Sequence, residues 1–192
     1  MRKLQIQDWR ELERWRDGRT DVAHAASAVA VGVQREDQQC YSFRFRVRSA
    51  SGDLRLAPRV SPQRCNELWR HTCFELFVMR PDGSYCEFNF SPSTQWAAYR
   101  FEDYRDAMTE LSMDEAPHIE TNVSAGLFVL DARVSLSSWI NKEVAAQCRI
   151  ALAAVVEAGD GRIEYWALTH RGERPDFHHK DSFIARLPDN VA

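Results

Sequence analysis

Two alternating runs on either side of a tight turn, between Cys73 and Phe90, constrain the fold of this chain more than any other feature. The runs are CFELFV (Cys73–Val78) and YCEFNF (Tyr85–Phe90). The linking residues 79–84 contain Pro, Asp and Gly, which supply the fixed and positive φ angles that a tight turn needs. The stretch therefore predicts a β-hairpin, and an antiparallel one, since its two runs follow each other directly.

The pattern of the hairpin also predicts which side chains share a face. Successive strand residues point to opposite faces, so one face is apolar and the other mixes carboxylates with aromatic residues. The mixed face holds Cys73, Glu75, Phe77, Tyr85, Glu87 and Asn89. If Phe74 pairs with Phe88, Glu75 falls directly opposite Glu87. Two like charges face to face require a cation, a hydrogen-bond donor or a ligand between them.

Further alternating runs predict that most of the chain is β-strand. The clearest is CYSFRFRVR (Cys40–Arg48), whose apolar residues alternate strictly with Ser and Arg. The other predicted strands lie near residues 29–33, 54–57, 96–101, 126–136, 149–157, 162–170 and 183–187. Strands at this spacing, separated by turns, favour a single all-β domain over residues 1–192, an antiparallel β-sandwich of about eight to ten strands.

Two segments depart from the strand pattern. Residues 8–17 predict a short helix within an N-terminal extension over residues 1–20, because Trp9, Leu12 and Trp15 recur at a spacing of three. Residues 102–118 are charged and weakly patterned, so we expect an irregular loop with at most one helical turn. Neither segment changes the predicted fold class.

Composition limits the classes of partner. The formal net charge of -3 and pI of about 6.1 lack the basic excess that nucleic acids or anionic membranes require. The sequence shows neither a secretory signal nor an apolar run long enough to span a membrane, so we expect a cytoplasmic location. Five scattered cysteines predict buried thiols rather than disulfides. The expected partner is a small molecule, and the sequence sets no oligomeric state.

Four motifs in order along the chain resemble a known family. They are ELWRHTCFELF, YCEFNFSPSTQWAAYRFEDYR, AAVVEAGDGRIEYWALTH and RPDFHH, within roughly residues 23–187. Together they are similar to a bacterial subgroup of the DOMON-like proteins, relatives of the family-nine carbohydrate-binding modules. The resemblance implies a β-sandwich that holds either a sugar or haem in a surface pocket. Most such proteins act outside the cytoplasm, and this chain departs from them because it shows no export signal.

Sugar recognition needs flat aromatic faces for the pyranose ring and planar polar groups for its hydroxyls. The chain offers both kinds of side chain around the predicted hairpin. The candidate ligand-binding residues are Arg59, Trp69, Arg70, His71, Glu75, Tyr85, Glu87, Asn89, Trp96 and Trp166. We therefore predict a non-catalytic module that binds a small sugar-like or aminosugar-like ligand. Paired glutamates on adjacent strands lie too close together for glycosidase chemistry, so we do not expect an enzyme.

Alternatives remain open at this point. The arginines of Cys40–Arg48 can neutralise the two glutamates in a structural ion network, and the tryptophans can be core residues. Haem would need Met or His axial ligands, and no such pair stands out, so no cofactor is expected in the favoured interpretation. A transition metal could bind at His170, His178 and His179. A structural or protein-interaction domain is the third possibility.

Overall fold

The computed structural model describes residues 9–16, 24–37, 39–49 and 53–189 of the chain. These residues form strands linked by turns, one four-residue α-helix and two single 3-10 turns, at Leu68–Arg70 and Lys180–Ser182. The elements are β1 (Trp9–Arg14), β2 (Ala28–Arg35), β3 (Cys40–Arg48), β4 (Cys73–Met79), β5 (Tyr85–Phe90), β6 (Trp96–Phe101), β7 (Thr109–Glu110), β8 (His118–Ser124), β9 (Leu127–Ser135), α1 (Lys142–Ala145), β10 (Arg149–Glu157) and β11 (Ile163–Ala167). No helix in these ranges is long and apolar enough to cross a membrane.

The described strands join into one curled antiparallel sheet of eleven strands in the order β7-β6-β5-β4-β10-β11-β1-β2-β3-β9-β8. We call β2, β3, β9 and β8 the front half-sheet, and β4 to β7 with β10 and β11 the back half-sheet. β1 joins them, since it pairs with β2 through Leu12 and Val29 and with β11 through Glu13 and Ala167. The half-sheets face each other as in a sandwich, which confirms the predicted all-β class.

The main core lies between the two half-sheets. Phe45 on β3 and Phe74 on β4 contact each other across it, with ring centroids 5.0 Å apart, and Phe128 on β9 stacks on Phe74. All three rings are almost fully buried. Burying one such side chain contributes roughly 1.5–3 kcal/mol to the free energy of unfolding, so the apolar side chains that alternate into this layer are a main source of stability.

A second apolar cluster covers the opposite face of the back half-sheet. Here Phe77, Tyr99 and Val155 point away from the main core and are covered by residues from the Leu68–Arg70 turn and from the segment 175–183. Phe177 and Phe183 are the largest side chains of that covering segment. The back half-sheet is therefore buried on both faces along β4 and β5, and the mixed face of the hairpin is an interior surface.

The predicted N-terminal helix over residues 8–17 is wrong. Trp9–Arg14 forms β1, and Leu12 is buried in the main core. A spacing of three apolar residues fits a helix locally, but the gap between β2 and β11 offers hydrogen-bond ladders on both sides. Those tertiary contacts outweigh the weak local preference. Residues 1–8 and 17–20, the rest of the predicted extension, lie outside the described residues.

The predicted hairpin is present, but its register is shifted by two residues. Glu75 pairs with Asn89 and not with Glu87, and Met79 pairs with Tyr85. A shift of two keeps every side chain on its predicted face, so the apolar pattern cannot detect it. The turn decides the register: Gly83 adopts a φ of 92°, and residues 80–84 close the loop with β4 running through Met79.

Other predicted boundaries changed less. Residues 54–57 and 183–187 form single bridges, at Leu54 with Ala158 and at Ala185 with Ile150, rather than strands. The loop expected over residues 102–118 contains β7 and leads into β8, a strand that the sequence did not predict. No helical turn forms in that loop. The second hairpin, β10 to β11, has the expected Asp-Gly turn, with Gly161 at a φ of 86°.

Candidate functional site

A cavity of about 400 Å³ opens on the outer face of β4 and β5, in the second cluster. The loop after β6 and the segment before the Lys180–Ser182 turn form its rim. Its lining residues are Trp69, Glu75, Glu87, Phe101, Arg105, Met108, Val155, Tyr165, Pro175, Phe177 and His178. The volume falls within the range typical of small-molecule sites, about 300–1,000 Å³. We call this cavity the carboxylate pocket.

Three polar side chains of β4 and β5 form the floor of the carboxylate pocket. Glu75 is 3% exposed, Glu87 is 5% exposed and Asn89 is fully buried. Asn89 Nδ2 donates a 2.6 Å hydrogen bond to Glu87 Oε1, and Asn89 Oδ1 accepts one from the thiol of Cys73 at 3.4 Å. Asn89 is thereby fixed as a donor toward Glu87, because its carbonyl oxygen is already engaged.

Glu75 has no such support. No group in the described ranges donates a hydrogen bond to its carboxyl, although the side chain is buried and lines the pocket. Glu164 on β11 shows the usual arrangement: its carboxylate accepts from the backbone N–H groups of Ala25 and Ala26 and from the indole of Trp166. Buried polar groups are nearly always hydrogen-bonded, so Glu75 has an acceptor capacity that protein groups leave unused.

Burial changes the protonation of both carboxyls. Desolvation, and then the charge of Glu87, raise the pKa of Glu75 well above its ordinary value, and Arg105 opposes this weakly. Desolvation raises the pKa of Glu87 to about 7, against the lowering effects of the Asn89 hydrogen bond and of Arg105. In the empty pocket burial therefore favours the neutral acid form of Glu75, and Glu87 is near its midpoint at neutral pH.

His178 lies beside the carboxyls as a neutral imidazole. The hydroxyl of Tyr85 accepts from the backbone N–H of Arg105 at 3.0 Å, and it lies 2.8 Å from His178 Nδ1, to which it can donate its own proton. His178 Nε2 then carries the ring proton, 3.7 Å from Glu87 Oε2. Desolvation, followed by the charge of Arg105, lowers the pKa of His178 to about 4, with Asp176 opposing. The ring can thus donate toward the pocket without carrying charge.

Asp176 ties the two parts of the rim together. Its carboxylate accepts from Tyr104 Oη at 2.8 Å, from Arg105 Nη2 at 3.0 Å and from the backbone N–H of His178 at 3.1 Å. Arg105 and Ala107 adopt φ angles of 52° and 50°, in the left-handed region that costs a non-glycine residue roughly 1–2 kcal/mol. These contacts hold the loop in a conformation that its own backbone disfavours.

Five of the predicted site residues meet at the pocket. Trp69, Glu75 and Glu87 line it, while Asn89 and Tyr85 lie directly behind Glu87 and His178 and hold them in place. Trp69 is half-buried and contacts the ring of Tyr99 edge-on at 5.8 Å. These five belong to β4, β5 and the turn before β4, so the hairpin pattern was the signal that identified them.

The structure places the other five elsewhere. Arg59 is exposed on the loop after residue 57, and Arg70 is exposed and pairs with Glu67. His71 Nδ1 bonds to Glu157 Oε2 at 2.8 Å. The remaining two are Trp96 and Trp166, both members of the main core.

Each of these two tryptophans has its own partner there. The guanidinium of Arg64 covers the ring of Trp96 at 4.4 Å, and the indole of Trp166 bonds to Glu164. Both side chains extend from the inner face of the back half-sheet, on the side opposite the pocket. The presence of a tryptophan does not predict which face of the sheet it occupies, since the face depends on the exact start of each strand.

The arginines of β3 do not neutralise the glutamates. Arg44 pairs with Asp131 at 2.6 Å, and Arg46 lies 3.6 Å above the ring of Trp9, both on the front half-sheet. The cation that reaches the carboxylate pocket is Arg105, from a loop for which the sequence predicted no role. A charged residue in an irregular loop carries no periodic signal, so sequence reasoning could not place it.

The three histidines proposed as a metal site are not gathered together. His170 Nε2 donates to the backbone oxygen of Glu13, and His179 Nδ1 accepts from the backbone N–H of Asp181. His178 is bound to Tyr85. Across the ranges that the structure describes, no three His, Cys, Asp or Glu side chains are arranged to hold a metal ion.

Comparison with known proteins identifies the fold. No protein-family profile and no curated protein sequence matches the chain. Among solved structures, a putative carbohydrate-binding protein from Bacteroides uniformis ATCC 8492 is similar, with 13% identity, a TM-score of 0.64 and coverage of 95% of this chain and 85% of that one. A family 9 carbohydrate-binding module from Caldicellulosiruptor kristjanssonii in complex with cellotriose has 12% identity and a TM-score of 0.52, covering 96% and 86%. At these identities the likeness concerns the fold alone.

Proposed function

We propose that this protein is a non-catalytic binding module for a small carbohydrate and that the carboxylate pocket is its binding site. The observation that carries the proposal is Glu75, a buried carboxyl that faces the pocket and receives no hydrogen bond from the described residues. Sugar hydroxyls are good donors to carboxyl oxygens. A bound sugar would supply the partner that Glu75 lacks.

The aromatic lining supports the same proposal. Trp69, Tyr165 and Phe177 surround the polar floor, so the pocket combines apolar walls with a few fixed polar groups. That combination is typical of small-molecule sites, and the flat C–H face of a pyranose packs well on aromatic rings. The fold shared with carbohydrate-binding proteins agrees with it.

The proposal includes two finer expectations from the sequence. One is the affiliation with DOMON-like proteins, which rests on the four motifs. The other is a cytoplasmic setting, which fits the five cysteines, since each is an unpaired thiol, as in proteins of a reducing compartment.

A haem site is the second candidate, for one specific reason. Met108 and His178, two side chains of types that serve as axial haem ligands, both line the carboxylate pocket. His178 could coordinate iron through Nε2, the atom that faces Glu87, if its ring proton moved to Nδ1 and was donated to Tyr85. Two carboxyls on the floor make this pocket a poor match for an apolar macrocycle.

Titration calorimetry with the full chain against neutral and amino monosaccharides, glucose and glucosamine among them, and short oligosaccharides tests the proposal. We expect binding that Glu75→Gln and Trp69→Ala each weaken by at least about tenfold. Glu120→Gln, an exposed glutamate on β8, serves as the matched control and should bind as the wild type does. A Soret band in the purified protein, or no heat with any sugar of either class, would contradict the proposal.

A further inference from the structure

We propose that the ligand of the carboxylate pocket is an amino sugar whose protonated amine lies between Glu75, Glu87 and the aromatic walls. The inference rests on the proposed function and names the chemical class of ligand that this site prefers. It depends on the balance of charge inside the pocket, on the missing partner of Glu75 and on the rings that surround the floor.

The pocket contains more acidic than basic capacity. Among the described lining residues, Arg105 is the only permanent cation, and its guanidinium is held by Asp176 at 3.0 Å. Two buried carboxyls remain, and the residues that the structure describes offer them one hydrogen bond, from Asn89 to Glu87. An anionic ligand would therefore meet repulsion at the floor, and a cationic ligand would meet attraction.

His178 does not change this balance. Its Nδ1 accepts the proton of Tyr85, so the ring is neutral and presents one N–H toward Glu87. A neutral imidazole donates a hydrogen bond but does not compensate a buried negative charge. Beyond Arg105, which Asp176 already pairs, the counter-charge that lets Glu75 and Glu87 ionise must then come from the ligand.

An ammonium group satisfies both carboxyls where a hydroxyl satisfies one acceptor at most. It carries three N–H donors and a positive charge, so one group can bond to Glu75 and Glu87 together. The aromatic lining adds to this, because Trp69, Phe101 and Tyr165 surround the floor and aromatic rings attract cations. The hydroxyls of the same sugar can reach the N–H of His178 and the rim.

The pH dependence of binding separates an amine from a neutral sugar. The titratable and charged groups that face the two carboxyls are Tyr85, Tyr99, Tyr165, Cys73, Arg105, Asp176 and His178. Of the two carboxyls, Glu87 titrates at about pH 7 in the empty protein. Affinity for a protonated amine should therefore rise from pH 5 to pH 7 as Glu87 ionises, whereas affinity for glucose should not rise.

The test compares glucosamine, glucose, N-acetylglucosamine and n-butylamine with the full chain by calorimetry at pH 5, 6 and 7. We expect glucosamine to bind at least about tenfold more tightly than glucose at pH 7, and N-acetylation to remove that gain. Glu87→Gln should abolish both the preference and its rise with pH. A thermal melt of the variant at each pH verifies that it is folded, and Glu120→Gln is the control.

Several results would overturn the inference. Glucose binding as tightly as glucosamine would refute it while leaving the proposed carbohydrate function intact. Binding of n-butylamine as tight as that of glucosamine would show that no sugar hydroxyl is recognised. Stabilisation by Ca²⁺ that EDTA reverses would assign the carboxyls to a metal. Heat from none of the sugars would refute the proposed function itself.

Discussion

Asn89 donates a hydrogen bond to one of two neighbouring buried carboxyls, since its side-chain amide lies 2.6 Å from Glu87 on the same strand. Glu75, which pairs with Asn89 across the β4–β5 ladder, receives no hydrogen bond from the described residues. The two glutamates are therefore not equivalent, although the sequence pattern treats them alike. Glu87 is the better supported anion, whereas burial and the charge of Glu87 raise the pKa of Glu75 well above its ordinary value and favour its neutral form.

The contribution of Glu87 to stability should fall as pH rises, and Glu87→Gln should remove that contribution. The native protein keeps the Glu87 proton up to about pH 7, whereas the unfolded chain releases it near the ordinary value of 4.5. At this carboxyl the native protein thus holds more of the proton than the unfolded chain between these values, so the contribution of Glu87 to stability decreases through the window. The variant should gain nothing at pH 4.5 and on the order of 3 kcal/mol relative to wild type above pH 7.

Urea denaturation of both proteins from pH 4.5 to pH 8 measures this difference. The amide of Gln accepts the same hydrogen bond from Asn89, so the substitution removes charge and little else. Glu120→Gln, on an exposed part of β8, should show no such trend. A difference between variant and wild type that stays constant with pH would refute the assignment of the buried charge to Glu87.

Two buried glutamates should respond oppositely to replacement by leucine. Glu164→Leu leaves the N–H groups of Ala25, Ala26 and Trp166 without an acceptor, and each orphaned donor costs roughly 1–3 kcal/mol. Glu75→Leu orphans no donor and removes a buried carboxyl, so it should leave stability unchanged or increase it. Urea midpoints at pH 8 decide this, and equal losses in the two variants would show that Glu75 has a donor after all.

Trp69 and Trp96, which are both ligand-binding candidates by sequence, should differ in role. Trp96 is 7% exposed in the main core beneath Arg64, so Trp96→Ala should lower the free energy of unfolding by roughly 3–5 kcal/mol. Trp69 lines the pocket and is half-buried, so Trp69→Ala should cost far less stability and weaken sugar binding. Melting curves measure the change in stability, and calorimetry measures the change in sugar affinity. A Trp96→Ala variant as stable as the wild type would contradict the burial argument.

Ala107→Gly should stabilise the rim loop. Ala107 has a φ of 50°, a conformation that glycine adopts without the steric cost that alanine bears. After the greater entropy of glycine in the unfolded chain is subtracted, a gain of about 0.5–1 kcal/mol remains. Ala146, exposed at a φ of -65° beside α1, is the matched control, and Ala146→Gly should lose a similar amount. Thermal unfolding of the two variants should therefore shift in opposite directions.

The parts of the molecule that follow a period could be predicted, and those parts include the floor of the site. Alternation predicted β3 with its observed bounds, the faces of the hairpin, and the shared face of Glu75, Glu87 and Asn89, which the structure shows to be buried. Alternation could not predict the register of the hairpin, because a two-residue shift keeps every side chain on the same face. The register depends instead on how the turn at Gly83 closes.

The rim could not be predicted for a different reason. Arg105, Asp176 and His178 come from irregular segments about 70 residues apart, and long-range packing brings them together. His178 lies in the RPDFHH motif, which suggests a metal ligand, whereas the structure shows it as a hydrogen-bond partner of Tyr85. β1 was missed because its strand conformation depends on β2 and β11, which a local pattern does not include.

The position of β1 has a consequence for biosynthesis. Glu13 pairs with Ala167, which is translated roughly 150 residues after it, so the seam between the half-sheets closes only when the whole intervening segment has been made. Until then both edges of that seam present unpaired backbone groups, which invite pairing with other nascent chains. A chain built in this way depends on slow, long-range closure, and its yield in the cell should respond to chaperone capacity and to the rate of translation.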